Sequence, residues 1–213
     1  MKKLESTLTN MVMVLVAVAV ITGALLAWVN HVTEAPIKAQ DEMALANGIK
    51  EVMGTDDLQV TADDEIKQEF EGKELTFIVH KTADKSGKFL GAAVESTTLG
   101  FGGDLKVLVG FDAEGKVLGY TILQAAETPG LGAKADKWFQ KDGKGSIVGR
   151  QIADKPLAVN KDGGDIDAIT ASTITSRAFL KAVNQAYLVY AGQDKGQDTD
   201  AHSGSTAQKA AKE

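Results

Sequence analysis

Apolar and polar positions change their spacing several times along this 213-residue chain. Residues 11–29, MVMVLVAVAVITGALLAWV, form one uncharged run. As a helix it would span about 28 Å, close to the ~30 Å hydrocarbon core of a bilayer. Trp28 closes the run, where aromatic side chains favour the membrane interface. Lys2 and Lys3 precede it, and no Lys or Arg follows between Asn30 and Ala35. The positive-inside rule then puts residues 1–10 in the cytoplasm and the bulk of the chain on the periplasmic or outer side. The run exceeds the ~7–15 apolar residues of a signal-peptide core, so it reads as an uncleaved anchor.

Beyond the anchor the periodicity alternates between helix and strand. Ala39, Met43, Ala46, Ile49 and Met53 recur at steps of three and four and predict a helix over 33–54, with Thr33 as cap and Pro36 in its first turn. Strand-like segments follow at 75–81, 88–95, 104–111 and 116–124, separated by turn residues such as Asp112-Ala113-Glu114-Gly115. Their short spacing predicts mainly antiparallel pairing. A short helix is expected over 133–139. A longer one is expected over 174–190, with Phe179, Val183, Ala186, Tyr187 and Tyr190 in one stripe facing the sheet. Residues 192–213 hold no large apolar side chain and read as a disordered tail. The fold class is α+β: one N-terminal transmembrane helix, then a mainly antiparallel sheet packed with helices.

Composition narrows the chemistry. There is no cysteine, which excludes disulfides, thiol catalysis and iron–sulfur clusters on this chain. His31, His80 and His202 are too far apart in sequence for a compact metal motif. A net charge of −6 argues against nucleic acid as a partner. No Gly-x-Ser-x-Gly elbow is present, so a hydrolase has little support.

Two stretches carry the candidate chemistry. Residues 167–176, Asp-Ala-Ile-Thr-Ala-Ser-Thr-Ile-Thr-Ser, crowd Thr170, Ser172, Thr173, Thr175 and Ser176 ahead of the last predicted helix. One or two hydroxyls would satisfy a helix start; five exceed that need. Such a start also favours a phosphate, through free N–H groups and the helix dipole. The second stretch is Glu127-Thr128-Pro129-Gly130-Leu131-Gly132, followed by Ala133 and Lys134. It reads either as a tight turn after a strand or as a loop whose backbone approaches a ligand. Gly130 to Ala135 also fits the loose dinucleotide pattern G-x-G-x-x-A. The strands before it form a meander rather than a parallel βαβ unit, which argues against a dinucleotide site. The two Lys-Asp-Gly tripeptides at 141–143 and 161–163 read as turn chemistry alone.

Both stretches resemble motifs of the FMN-binding domain family. The family's Asp-x-x-Ser/Thr-Gly-Ala-Thr motif aligns with Asp167, Thr170 and Thr173, with Ala171 in place of Gly and Ser172 in place of Ala. Its Glu-Thr-Pro-Gly-Leu-Gly loop, which lies against the flavin, matches at all six positions. Gly100-Phe101-Gly102-Gly103-Asp104 is also similar. The His often found two residues before the Glu is Ala125 here, so any role depending on it is absent. The resemblance implies FMN held covalently by a phosphoester to Thr173 and attached by a flavin transferase. It implies an extracytoplasmic FMN-binding domain over 30–191. On that reading Thr175 and Ser176 donate hydrogen bonds to the phosphate. Asp167 serves either the transfer reaction or the loop's position. Within the family the chain is most similar to G subunits of Rnf-type ion-translocating electron-transport complexes. This implies partner membrane subunits, a bacterial inner membrane location, and an electron-transfer role that is not catalytic alone. The C subunit of the Na⁺-translocating NADH:quinone reductase, or an anchored binding or sensor module without redox role, are the alternatives.

Overall fold

The computed structural model describes residues 7–153 and 155–203. It divides into two units, one ending at Leu45 and one beginning at Ala46. Lys2 and Lys3, on which the orientation argument rests, lie outside the described residues.

Among the described residues, the first unit is helical from Leu8 onward. Helix α1 runs Leu8–Met53 without interruption, where the sequence predicts an anchor and a separate helix. Thr33 is not a cap: its hydroxyl donates to the carbonyls of Val29 (3.0 Å) and Asn30 (3.2 Å), one turn back along the same helix. Pro36 is interior. It removes one backbone donor, and good helix formers on both sides carry the helix across that gap. The apolar stretch is exposed along its length, and α1 is the one described helix long and apolar enough to cross a membrane.

The second unit opens with the last turns of α1, where Gly48, Ile49, Val52 and Met53 are buried. Five strands follow in a pure antiparallel meander: β1 Gln59–Phe70, β2 Lys73–Ala83, β3 Phe89–Leu99, β4 Asp104–Asp112 and β5 Val117–Ala125. Val52 lies over Gly110 and Gly119, whose missing side chains let the helix backbone close on one face of the sheet. A helix α2, Ala135–Trp138, and α3, Thr173–Ser203, complete the order. The expected helix over 133–139 is thus a 3-10 turn, Gly132–Lys134, followed by the four residues of α2.

The core lies between α3 and the opposite sheet face. Phe179, Val183, Ala186 and Tyr190 are buried and Tyr187 partly so, as the stripe requires. Phe179 stacks on Phe139 at 4.3 Å and meets Tyr120 edge-on at 4.7 Å. The Tyr120 hydroxyl donates to the carbonyl of Ala135 (2.5 Å), fixing α2 to the sheet. The Thr98 hydroxyl donates to the carbonyl of Ala178 (2.9 Å), fixing the start of α3 against β3. The backbone of α3 stays helical past Tyr190 to Ser203, into the stretch expected to be disordered. No proline stands there to end it, and residues 204–213 lie outside the described set.

Strand β1 has no counterpart among the expected strands. It is an edge strand with a charged outer side, and only Ile66 and Phe70 of its alternate positions pack against the core. Charge on an edge strand blocks pairing with a further chain. On the sheet face away from α3, His80 sits between Asp63 (2.6 Å) and Glu95 (2.9 Å), and Lys106 pairs with Glu95. Burial pulls the His80 pKa down, but the hydrogen bonds to Glu95 and Asp63 outweigh it and leave it raised. Burial likewise favours the neutral form of Glu95, yet His80 and Lys106 hold its pKa below the usual range.

Candidate functional site

The hydroxyl cluster folds into a tight turn at the start of α3. The Ser172 N–H donates to the carbonyl of Ile169 (3.0 Å), and Ala171 takes a positive φ of 62°. This is the position where the resembled motif has glycine, and the backbone keeps a conformation that suits glycine. Ser176 is fully buried and serves the turn itself. Its hydroxyl donates to the Ser172 carbonyl (2.9 Å) and accepts from the Ile169 N–H (2.9 Å). That leaves its proton aimed at protein rather than at a phosphate.

Thr175 is also buried, and its hydroxyl donates to Glu127 Oε2 (2.9 Å). Glu127 Oε1 accepts from the Phe101 N–H (2.7 Å). One carboxylate therefore ties the β3–β4 turn, the Pro-Gly loop and α3 together. Gly132 sits against this junction. A Cβ there would lie 2.4 Å from Glu127 Oε2 and 2.7 Å from Thr175 Oγ1, so only glycine leaves the bond intact. The loop closes on the Thr128 carbonyl, which accepts from the N–H groups of Leu131 and Ala133 (3.2 Å each).

Above the junction is a cleft of about 360 Å³, walled by Phe101, Thr128, Leu131, Gly132, Ser172, Thr173 and Ile174, with Ala171 at its edge. Phe101 (67% exposed), Ile174 (54%) and Leu131 (40%) present apolar surface to solvent there. Thr173 is half-buried in that wall. The structure thus brings Thr128, Leu131, Gly132, Ser172 and Thr173 together, with Glu127 and Thr175 beneath them. Gly130 and Lys134 line a neighbouring cavity with Trp138, of about 470 Å³, and Pro129 lines neither. Thr170 is exposed outside both. Asp167 stands at the far end of the motif. Its carboxylate accepts from Asn160 Nδ2 (2.5 Å) and its carbonyl from the Trp138 indole (2.7 Å).

Sequence reasoning missed Phe101 as a wall of the cleft, although its glycine-rich turn stands out in the chain. It also missed the 3-10 turn Asn160–Asp162, where the Lys-Asp-Gly tripeptide reads as punctuation only. Lys161 donates to Thr173 Oγ1 (3.3 Å), and Asp162 accepts a two-pronged bond from Arg177 of α3 (2.6 and 2.7 Å). That hydrogen bond holds the Asp162 carboxyl below its ordinary pKa.

Comparison with known proteins assigns this arrangement a class. Residues 100–188, which contain the whole cleft, match the model of the FMN-binding domain, and residues 1–52 match the model described as the RnfG N-terminal region. The chain is 33% identical over 172 residues to the G subunit of the ion-translocating oxidoreductase complex of Vibrio parahaemolyticus, covering 76% of this chain and 79% of that protein. It is 34% identical over 185 residues to the protein of that name from Vibrio atlanticus, covering 82% and 86%. The match to its namesake from Aliivibrio fischeri (strain MJ11) is 40% over 116 residues and spans about half of each chain, 51% and 53%. The chain belongs to the family of G subunits of ion-translocating oxidoreductase complexes, and the cleft lies within the residues that match the FMN-binding domain.

Proposed function

We propose that this protein is the flavin-carrying electron-transfer subunit of an Rnf-type ion-translocating complex, with FMN joined through its phosphate to Thr173. The cleft suits the two chemistries of that cofactor. Its volume falls in the usual ligand range, and Phe101, Leu131 and Ile174 offer exposed apolar surface to a flat ring. The half-buried Thr173 offers a hydroxyl at the end where a phosphate would sit. FMN, when bound, supplies transfer of one or two electrons.

The chain's own residues hold and present that group. Thr173 provides the oxygen that bonds to phosphorus of an activated flavin phosphate. Thr173 would give up its hydroxyl proton to the transferase as it takes the flavin phosphate in exchange for that phosphate's leaving group. Ala171 and Ser172 shape the turn that exposes Thr173. Glu127, bonded to Thr175 and the Phe101 N–H, keeps the cleft walls at fixed separation. Residues 11–29 anchor the chain in the bacterial inner membrane, with the domain on the outer side. Other membrane subunits of the complex and a flavin transferase are its partners. The anchor run holds no ionisable residue, so ion movement belongs to those subunits.

The observation that carries this reading is Thr173, half-buried in the wall of the cleft and at the first residue of α3. Thr173→Ala, made together with the transferase, is expected to lose the flavin mass and the in-gel flavin fluorescence while its circular dichroism stays that of the parent. Flavin retained by the variant after denaturing separation, or a parent protein that weighs only its polypeptide, overturns it.

A further inference from the structure

Three consecutive residues of one turn bond the attachment motif and the residue that follows it. Asn160 donates to the carboxylate of Asp167 (2.5 Å), Lys161 donates to the hydroxyl of Thr173 (3.3 Å), and Asp162 receives the Arg177 guanidinium. The turn is itself pinned behind the motif. Val159 bridges Ile166, and the Asn160 N–H donates to the Ile166 carbonyl (2.9 Å). The loop that leads into the motif thus doubles back along it and leaves a cation at the reacting oxygen.

We infer that Lys161 is the cationic partner of the phosphate joined to Thr173, positioned by the Asp162–Arg177 pair. The inference rests on the reading of Thr173 as the attachment point. Among the described residues, the Lys161 ammonium hydrogen-bonds to Thr173 alone; its charge also acts on the Asp162 carboxylate, which it does not contact as an ion pair. The other nearby cations are placed differently. Arg177 is engaged by Asp162, and Lys134 lines the neighbouring cavity. An ammonium has donors only. It therefore leaves the Thr173 proton to the transferase, draws in the anionic flavin phosphate, and afterwards faces a phosphodiester of one negative charge. Because Lys161 is exposed, salt screens the attraction.

The test follows flavin attachment to the full-length chain by intact mass, with purified transferase and its flavin dinucleotide donor, at low and high salt. Lys161→Gln is expected to slow attachment about fivefold at low salt, the worth of a solvent-exposed charge pair at contact distance. It should also flatten the salt dependence seen in the parent. Lys161→Arg is expected to keep most of the rate, and Lys141→Gln, in the matching tripeptide, all of it. In loaded protein, the ³¹P resonance of the phosphodiester should move between the parent and Lys161→Gln. Equal rates, equal salt dependence and an unmoved resonance in Lys161→Gln overturn the role of Lys161 while the parent still takes up flavin. A parent that takes up none overturns the Thr173 reading, and this inference with it.

Discussion

The tripeptide Lys-Asp-Gly occurs at 141–143 and again at 161–163, and the two copies fold for opposite reasons. In the first, Gly143 closes a turn on the Gln140 carbonyl (2.8 Å), and a Cβ there would stand 2.1 Å from the Trp138 carbonyl oxygen. Glycine is needed for space, while the side chains of Lys141 and Asp142 form no hydrogen bond or ion pair among the described residues. In the second, a Cβ at Gly163 would meet nothing within 4 Å, but φ is 80°. Glycine is needed there for backbone angle, and the side chains of Lys161 and Asp162 both hold partners. Among the described residues, the same three letters give a turn whose side chains hold no partner in one place and a turn whose side chains reach Thr173 and Arg177 in the other. What separates them is the segment each is folded against.

That contrast can be broken first by stability. Gly143→Ala drives a methyl group into a backbone carbonyl and is expected to cost about 3 kcal/mol or more. Gly163→Ala meets only the left-handed backbone and is expected to cost about 1–2 kcal/mol. Thermal unfolding of the purified chain reads both, at roughly 2–4 °C per kcal/mol for a domain of this size. The reverse order of melting temperatures would undo the comparison.

A smaller effect sharpens it. Ala171, in the turn that Lys161 reaches over, holds the positive φ that Gly163 holds freely. Ala171→Gly relieves that conformation but frees the unfolded chain, so a net gain below about 1 kcal/mol is expected. A lower melting temperature would show that the alanine methyl makes a contact worth more than the strain.

The smallest effect is in acid. The hydrogen bond from Arg177, with the charges of Arg177 and Lys161, outweighs desolvation and lowers the Asp162 pKa from an ordinary 3.8. A carboxylate depressed in the folded state stabilises it above the unfolded pKa, and that contribution is lost as pH falls through the folded value. The Asp162 carboxyl carbon, followed by NMR, should titrate below the ordinary range, and Arg177→Gln should return it there. An unchanged midpoint in Arg177→Gln would mean that the pair does not hold the turn.

The same physics explains what can be read from the chain alone. Strands β2 to β5 are legible because each has an apolar face and ends in turn residues. β1 is not, because Asp63, Asp64, Glu65, Lys67 and Glu69 mask a strand that survives through pairing with β2. Thr33 and Pro36 have the grammar of a helix start, yet α1 runs through them, since one missing donor does not end a helix supported on both sides. Thr173, Leu131 and Gly132 are legible because both stretches resemble motifs of one family, and the structure brings them together across Glu127. Lys161 is not. Its contact with Thr173 depends on the Val159–Ile166 bridge, a pairing that leaves no mark in hydrophobic spacing.

The meander has a consequence for the timing of maturation. Each strand pairs with its neighbour in sequence, so the sheet can close as the chain emerges. The pocket cannot: it needs Phe101, Glu127 and Thr175 at once, and the last of these arrives with the final helix. A growing polypeptide therefore shows a finished sheet well before it shows a closed cleft, and on the proposed function the flavin is attached to a completed domain.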